Sequence, residues 1–350
     1  MSRLSIRFFA FLASALLLSG CGGGGEESPI VPSGGNRKPE IGPYKKKRPP
    51  FNPGTSIVVA GKKFDVDTPV VLWSDPIGYD GYSERCYSIN QVLPQDAASR
   101  PNADPKRYGA RSPAPLPAAA EKRVREKGWK IEELRQGVWQ FVLHYDAVGT
   151  SERCFRALHD NRGLSVHFML DLDGTIWQTL DVVERAFHAA EANDRSVGVE
   201  IANVGAFATP KFLDAWYVRR EDGRVVNLFP ENARMGDLRI ESYVAAPWRN
   251  ELITGFVHGR KLVQHDFTEA QYVALAKLAA GLSRALPRIK LAVPRDKAGK
   301  VESRQLREPR RTAFEGVIGH FHLTDSKTDP GPAFDWEWFL KAAEAEAARR

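Results

Sequence analysis

The amino-acid sequence predicts an α/β fold with a mixed central β-sheet flanked by helices, an N-terminal extension and a long insertion before the penultimate helix. The main observation is that apolar runs typical of buried strands alternate along the chain with segments that carry helix-capping signals. Strands interleaved with helices are typical of α/β domains. The chain of 350 residues is also long enough, after its Gly- and Pro-rich start, for one large domain with insertions.

The elements of the first half follow from local patterns of apolar, capping and turn residues. Two valine-rich strands flank the sequence GKKFDVDT, and a charged helix precedes the first buried strand. The next helix is capped by Thr150 or Ser151 and ends near Gly163, and a hairpin turns at Asp173-Gly174. The predicted ranges are 56–60 and 69–73 for the first strands, 121–134 for the charged helix, 138–145 for the buried strand, 150–163 for the capped helix, 166–180 for the hairpin and 196–204 for another buried strand.

The second half begins with the insertion at residues 205–266, which carries a predicted hairpin at 216–229. Its aromatic residues Trp216, Tyr217 and Trp248 either widen a sugar-binding groove or pack a small core of the insertion, and packing is favoured. The remaining predicted elements are a helix from the capping box Thr268–Gln271 to about residue 286, a strand at 314–320 and a final helix at 335–348.

The first residues indicate export and a lipid anchor. Arg3 and Arg7 precede a short apolar run, which is typical of a signal peptide and too short to span a membrane stably. The following Leu-Ser-Gly-Cys resembles a bacterial lipobox, in which Cys21 is lipidated; an uncleaved anchor helix is the alternative. Residues 1–20 are therefore predicted to be a lipoprotein signal peptide. Because Gly22 rather than aspartate follows the cysteine, we expect a cell-envelope lipoprotein of the outer membrane that faces the periplasm.

The rest of the chain is predicted to divide into a tether at 21–55, an extension at 56–136 packed on the catalytic domain, and the catalytic domain at 137–350. The tether is rich in Gly and Pro and buries too little apolar surface to offset the entropy of ordering. The formal net charge of +7 suits an anionic polymer as partner, and no nucleic-acid-binding motif accompanies it. Three cysteines exclude a cysteine-rich zinc ribbon, and pairing of Cys86 with Cys154 is left open.

Three polar residues stand in or just after apolar predicted strands, namely His144, Glu200 and His320. The carboxyl ends of strands are the usual position of functional side chains in open α/β sheets. A carboxylate in an apolar strand is costly unless it is paired, hydrogen-bonded or used. The segment that follows His320 adds Lys327 and Asp329. Taken singly, these residues fit a polar loop or structural histidines as well as a metal site.

Four stretches in combination are more specific, namely FVLHYDA, SVHFMLDLDGTIWQTLD, AFHAAEANDRSVGVEIAN and GHFHLTDSKTDPGPAFDW. In their order and spacing they resemble the zinc-dependent N-acetylmuramoyl-L-alanine amidase family, which includes phage lysozyme-amidases and peptidoglycan recognition proteins. The resemblance covers about residues 138–203 and 268–340. The last stretch, in which Lys-Thr-Asp-Pro-Gly-Pro follows a Gly-His pair, is the most specific.

The resemblance implies the residues of a catalytic zinc site. It places the ligands of one Zn²⁺ per chain on His144, His320 and Asp329, which leaves a fourth position for water. It makes Glu200 the general base that takes the proton of the water. It makes Lys327 the cation that stabilises the oxyanion of the tetrahedral intermediate.

Two further histidines are expected near the substrate. His188 matches a family histidine and is expected to line the cleft as a substrate-binding residue, with a supporting role behind the ligands as the alternative. An extended segment would turn residues 320 and 322 to the same side, so geometry alone allows both histidines to bind the metal. A site of three histidines and an aspartate would leave no position for water, and the resemblance gives His322 no matching ligand, so His322 is expected at the rim of the cleft, where it touches substrate. Many relatives have a catalytic tyrosine where this chain has Val166, which makes Glu200 more necessary. Val166 and its neighbour His167 are expected to be core and support residues.

The expected function is that of a monomeric, lipid-anchored amidase that acts on peptidoglycan or muropeptides. It would cut the amide between N-acetylmuramic acid, or its anhydro form, and the L-alanine of the stem peptide. One alternative is a module that binds peptidoglycan without cutting it, as some members of this family do after the loss of a ligand. The other is a zinc hydrolase of a different amide.

Overall fold

The computed structural model describes residues 51–83, 107–228, 238–240 and 243–349. All of them belong to one of the two units into which the chain divides, residues 45–350. The signal peptide, the lipidation of Cys21 and most of the tether lie outside the described residues and stay predictions. The same holds for the pairing of Cys86 with Cys154, since only Cys154, which is buried, is described.

The described residues form thirteen strands, which are short except for the second. In chain order they are β1 (Gly54–Val59), β2 (Lys62–Leu72), β3 (Tyr108–Gly109), β4 (Gln140–Tyr145), β5 (Phe168–Leu170), β6 (Ile176–Gln178), β7 (Arg185–Ala186), β8 (Ser196–Ile201), β9 (Tyr217–Arg219), β10 (Val225–Asn227), β11 (Ile253–Val257), β12 (Arg260–Gln264) and β13 (Gly316–Gly319).

Seven strands form the central sheet, in the order β1-β2-β6-β5-β8-β4-β13. The pairs β1–β2 and β5–β6 are antiparallel, and the other four pairs are parallel. The remaining strands form three antiparallel pairs outside this sheet, β3–β7, β9–β10 and β11–β12. The predicted fold class, an α/β domain with a mixed central sheet, is confirmed.

The described residues form seven α-helices and three helical segments of other types. The α-helices are α1 (Ala118–Lys127), α2 (Ile131–Gly137), α3 (Ser151–Phe155), α4 (Glu269–Ala285), α5 (Arg310–Ala313), α6 (His320–Leu323) and α7 (Trp336–Ala348). A π-helix at Arg156–Arg162 continues α3, and 3-10 helices lie at Ala190–Arg195 and Pro210–Phe212. The predicted caps are confirmed, because Thr150 accepts from the N–H of Arg153 and Thr268 forms a capping box with Gln271.

Apolar layers cover both faces of the sheet. Helices α4 and α7 lie on one face, where Leu278 and Phe339 pack in the same cluster as Phe141 and Val199. On the other face, Phe155 of α3 packs with residues of β5 and β6. Each fully buried side chain of this kind contributes about 1.5–3 kcal/mol. The strands that reach the candidate site are therefore held between two packed layers.

The N-terminal extension differs from its prediction, because part of it belongs to the central sheet. The segment GKKFDVDT was predicted to connect two short strands. Instead, all of it after its first glycine belongs to β2, which pairs antiparallel with β1. Its first residues are largely exposed, since β1 and β2 form one edge of the sheet, and this weakens the apolar signal of a strand. Residues 54–72 are thus part of the sheet of the catalytic domain rather than a layer packed on it.

Two other predicted elements are interrupted. The charged helix is divided into α1 and α2, because α1 ends at Gly128. The last predicted strand ends at Gly319, and His320 begins the short helix α6. The expectation that residues 320 and 322 share one side of an extended segment is therefore wrong. In a helix, side chains two positions apart point in nearly opposite directions.

The insertion has a small core of its own. The predicted hairpin is present as β9–β10, and Tyr217 packs there with Val225 and Leu213, with Trp216 at its margin. The second hairpin, β11–β12, was not predicted. Trp248 does not share this core, since it is 41% exposed and its ring lies 6.1 Å from that of Trp338.

Within the described ranges, no helix combines the length and apolar character that a membrane crossing requires.

Candidate metal centre and active site

Three neighbouring parallel strands deliver the candidate residues to one edge of the sheet. His144 and Glu200 lie near the carboxyl ends of β4 and β8, where they are directly paired in register. His320 follows the carboxyl end of β13, which pairs with β4 on its other side. The apolar run of each strand buries the strand itself, and the sheet order then brings together side chains that are far apart in the chain.

His144, His320 and Asp329 form a compact, buried group of metal-ligating side chains. The Nδ1 atoms of the two histidines are 3.0 Å apart. Oδ2 of Asp329 lies 2.9 Å from Nδ1 of His144 and 3.0 Å from Nδ1 of His320. A tetrahedral Zn²⁺ with bonds of about 2.0–2.1 Å has donor atoms about 3.3 Å apart, so the spacing and the N₂O donor set fit this ion.

The electrostatics of this group favour the forms that bind a cation. Burial and the neighbouring His320 lower the pKa of His144 to about 4, so that this imidazole is neutral at neutral pH. Burial acts in the opposite direction on Asp329, but the interactions with His320 and His144 hold the pKa of this carboxyl well below its usual range. Neutral imidazoles and an ionised carboxylate are the forms in which these side chains bind metals.

His188 supports His144 from behind. Its Nδ1 lies 3.0 Å from Nε2 of His144, and its Nε2 lies 3.3 Å from Oγ of Ser196. When Nδ1 of His144 faces the metal position, its Nε2 carries the proton and donates to His188, which in turn donates to Ser196. The structure therefore places His188 in the supporting position, buried against a candidate ligand.

Gly198 leaves space for the ring of His188, and Arg111 of the N-terminal extension contacts the residues around it. A Cβ on Gly198 would lie 2.5 Å from the ring of His188, so only glycine allows the ring to lie against β8. The buried Arg111 donates to the carbonyl of Asn193 and lies 3.1 Å from Nε2 of His167. The side chain of Asn193 accepts from the N–H of His188. Sequence reasoning missed Arg111 and Gly198, because nothing local distinguishes them.

His167 is a fully buried neutral histidine, as a support role requires. Its Nδ1 accepts from the N–H of Gly198, so its Nε2 carries the proton and donates to the carbonyl of Glu184. Burial and the cation of Arg111 lower the pKa of His167 to about 3. Val166, its neighbour, is also fully buried, in the cluster that contains Trp177.

We expect His167→Gln to make the acid sensitivity of folding shallower. An unfolded histidine gains a proton below about pH 6.5, whereas the folded one does so only near its lowered pKa, so the unfolded state binds more protons in between. The contribution of His167 to the free energy of unfolding is complete above about pH 6.5 and decreases by up to about 1.4 kcal/mol per pH unit as the pH falls. Denaturant unfolding at several values from about pH 7 to 4.5 measures how the free energy of unfolding depends on pH. Equal slopes for wild type and variant would contradict this account.

Glu200 is paired in register with His144 and has a carboxylate that is not fully hydrogen-bonded. Its Oε2 is buried and has no hydrogen-bond partner among the described residues. Burial and the carboxylates of Asp329 and Asp146 raise the pKa of Glu200 well above its ordinary value, and the ammonium of Lys327 partly opposes them. A carboxylate with a raised pKa is suited to take and return protons near neutral pH.

Lys327 lies on the loop that carries Asp329 and acts electrostatically on the same site. Its positive charge contributes to lowering the pKa of both His144 and Glu200. On the same loop, Oγ1 of Thr328 lies 2.6 Å from the hydroxyl of Tyr145, the residue after His144. The loop is thus tied directly to the strand that carries the first histidine.

His322 is not at the rim of the cleft, and this prediction is wrong. The side chain is fully buried, its Nδ1 accepts from the N–H of Gly319, and its Nε2 donates to the carbonyl of Glu302. Because α6 begins at His320, His322 turns into the protein instead of towards the donor atoms. His320, by contrast, lies in the group of metal-ligating side chains, and His322 does not.

Two convergent imidazoles and a carboxylate, with a second carboxylate on the neighbouring strand, are the composition of a metal-assisted hydrolase site. The family model of N-acetylmuramoyl-L-alanine amidase matches residues 135–332, more than half of the chain. The chain belongs to this family, and it is a peptidoglycan amidase. No curated protein sequence matches it significantly.

Three solved structures are similar to parts of this chain. The selenomethionine derivative of AmpD is 17% identical over 67% of this chain and 89% of its own, with a TM-score of 0.31. The amidase AmiD from E. coli, in complex with the substrate anhydro-N-acetylmuramic acid-L-Ala-D-γ-Glu-L-Lys, is 19% identical over 59% of this chain and 57% of its own, with a TM-score of 0.32. The endolysin amidase LysCS from Clostridium intestinale is 14% identical over 60% of this chain and 86% of its own, with a TM-score of 0.31.

Proposed function

We propose that this amidase depends on zinc and hydrolyses the bond between N-acetylmuramic acid, or its anhydro form, and the L-alanine of the stem peptide. The observation that carries the proposal is the position of Glu200, which is paired in register with His144 on the neighbouring strand. A binding module without catalysis would have no use for a buried, unpaired carboxylate oxygen at this point.

His144, His320 and Asp329 would hold the ion. Bound zinc would polarise the scissile carbonyl and make water a stronger nucleophile at neutral pH. Glu200 takes a proton from the attacking water and passes it to the amine of the leaving L-alanine, which prevents return of the amine to the carbonyl. The ammonium of Lys327 stabilises the negative charge that develops on the carbonyl oxygen.

Digestion of purified sacculi tests the reaction. The chain without its predicted signal peptide and tether is incubated with sacculi, and the soluble products are identified by mass spectrometry. Free stem peptides that begin with L-alanine support the proposal, and release of any other amide fragment overturns it. Parallel digestion of an anhydro-muropeptide decides whether intact wall or the soluble fragment gives the higher kcat/KM.

We also propose that the chain is a monomer anchored by lipid on Cys21 to the outer membrane, facing the periplasm. The support is the Leu-Ser-Gly-Cys sequence with Gly22 after it. Separation of outer and inner membranes, followed by detection of the protein in the outer-membrane fraction, tests the location. Recovery in the inner-membrane or soluble fraction would count against it.

His188→Leu is expected to weaken zinc binding by about 10–100-fold, the usual cost of removing a partner that orients a metal-ligating histidine. His188→Asn is the matched control, because its side-chain oxygen can still accept from Nε2 of His144 and should retain most of the affinity. Competition with a chromogenic chelator measures the affinity in the absence of any substrate. Equal affinity in the two variants would show that His188 does not orient His144.

A further inference from the structure

The hairpin β11–β12 of the insertion lies against the loop that carries Lys327 and Asp329. Arg260 donates to the carbonyl of Asp325, 3.2 Å away, at the start of this loop. A Cβ on Gly255 would lie 2.7 Å from Pro332, at its far end. The hairpin thus contacts the loop on both sides of the candidate catalytic and metal-binding side chains.

Gln264, at the end of β12, connects this loop to the strand of Glu200. Its fully buried amide donates to the carbonyl of Pro330 and to Oδ1 of Asn203, each 3.2 Å away. Its Oε1 accepts from the N–H of Ala333. Gly331 has φ +90°, and a Cβ there would lie 2.1 Å from Oε1 of Gln264, so the loop fits directly on the hairpin. The position of the loop relative to β8 is therefore set by the insertion.

His258, at the tip of the hairpin, contacts Lys327 itself. Its Nε2 lies 2.9 Å from the main-chain oxygen of Lys327. A carbonyl oxygen only accepts, so Nε2 of His258 carries the proton and donates. Its Nδ1 accepts from the N–H of Gln305, and its own N–H donates to the carbonyl of Ser303. His258 is thereby held on three sides, and its imidazole N–H holds the backbone of Lys327.

We propose that His258 is a positioning residue for Lys327, and that the hairpin of the insertion sets the orientation of the Lys327 ammonium in the amidase reaction. The inference rests on the proposed role of Lys327. Without the N–H of His258, the backbone at Lys327 loses its contact with the hairpin, while Asp329 keeps the contacts of its loop through Gln264. The substrate is still bound, and the developing charge is less well stabilised.

Two variants of equal length separate the hydrogen bond from packing. His258→Gln retains an amide N–H at about the place of Nε2, and His258→Met has the same chain length without a donor. His258 has φ +54°, and both replacements carry the same backbone cost at this position. We expect His258→Met to lower kcat by roughly 3–10-fold, the effect of one hydrogen bond, with unchanged KM and zinc content. His258→Gln should restore most of the rate.

The pair His258→Met and Lys327→Met forms a double-mutant cycle that identifies the route of the effect. If His258 acts through the ammonium of Lys327, then His258→Met has no further effect on kcat in the Lys327→Met protein. An equal loss in both backgrounds, a loss of zinc, or failure of His258→Gln to restore the rate overturns the positioning role. Wild-type activity of Lys327→Met instead overturns the proposed function of Lys327, so the two failures are distinct.

Discussion

Glu200→Gln is expected to lower kcat on sacculi by ~10²–10⁴-fold, the usual contribution of a general acid–base group. Gln has the same shape as Glu but cannot take a proton from water at neutral pH. Because His144, His320 and Asp329 remain, the variant should keep its zinc. Product release measured by mass spectrometry, together with metal analysis of the same samples, gives both quantities.

The control for this substitution is Glu191→Gln. Glu191 lies on the 3-10 helix before β8, and its exposed carboxylate pairs with Arg311 at 2.9 Å. The same chemical change at this exposed glutamate should leave kcat within about twofold of the wild-type value, because exposed ion pairs contribute little to stability. Wild-type activity of Glu200→Gln would show that another group takes the proton.

Asp329→Ala is expected to abolish both zinc binding and activity. The substitution leaves two imidazoles with Nδ1 atoms 3.0 Å apart, without the carboxylate that neutralises part of the charge of the ion. Metal analysis after dialysis should find about one zinc per chain in the wild type and close to none in the variant. Thermal unfolding with and without added zinc provides a second measurement, because an ion that binds only the folded state raises Tm.

His322→Ala is the matched control for loss of a buried histidine side chain close to the site. His322 is fully buried and hydrogen-bonded to Gly319 and Glu302, but it is not one of the convergent donors. Its removal should lower the free energy of unfolding by about 1–3 kcal/mol for each buried group left unpaired, and should leave the zinc content unchanged. Zinc retained by Asp329→Ala, or lost only from His322→Ala, would falsify the assignment of the donors.

The elements that were predicted correctly are those with a local cause. Helix α4 follows from the capping box of Thr268 and Gln271, and α3 begins where Thr150 caps it. The turn at Asp173-Gly174 connects β5 and β6 as expected. Prediction was less accurate where the cause is not local. The first part of β2 is polar because it lies at the sheet edge, and α6 begins within the segment interpreted as extended.

The sequence by itself determined the class of the fold and, through motifs that resemble an amidase family, implied the family and the residues that meet at one edge of the sheet, His144, Glu200, His320 and Asp329. It could do so because strand periodicity, caps and short motifs are properties of neighbouring residues. Only the tertiary structure decided the directions of the other side chains. His188 turns to His144 because Gly198, on another strand, leaves space for its ring, and His322 turns into the core because a helix starts at His320. These directions depend on contacts between segments far apart in the chain, which no local pattern contains.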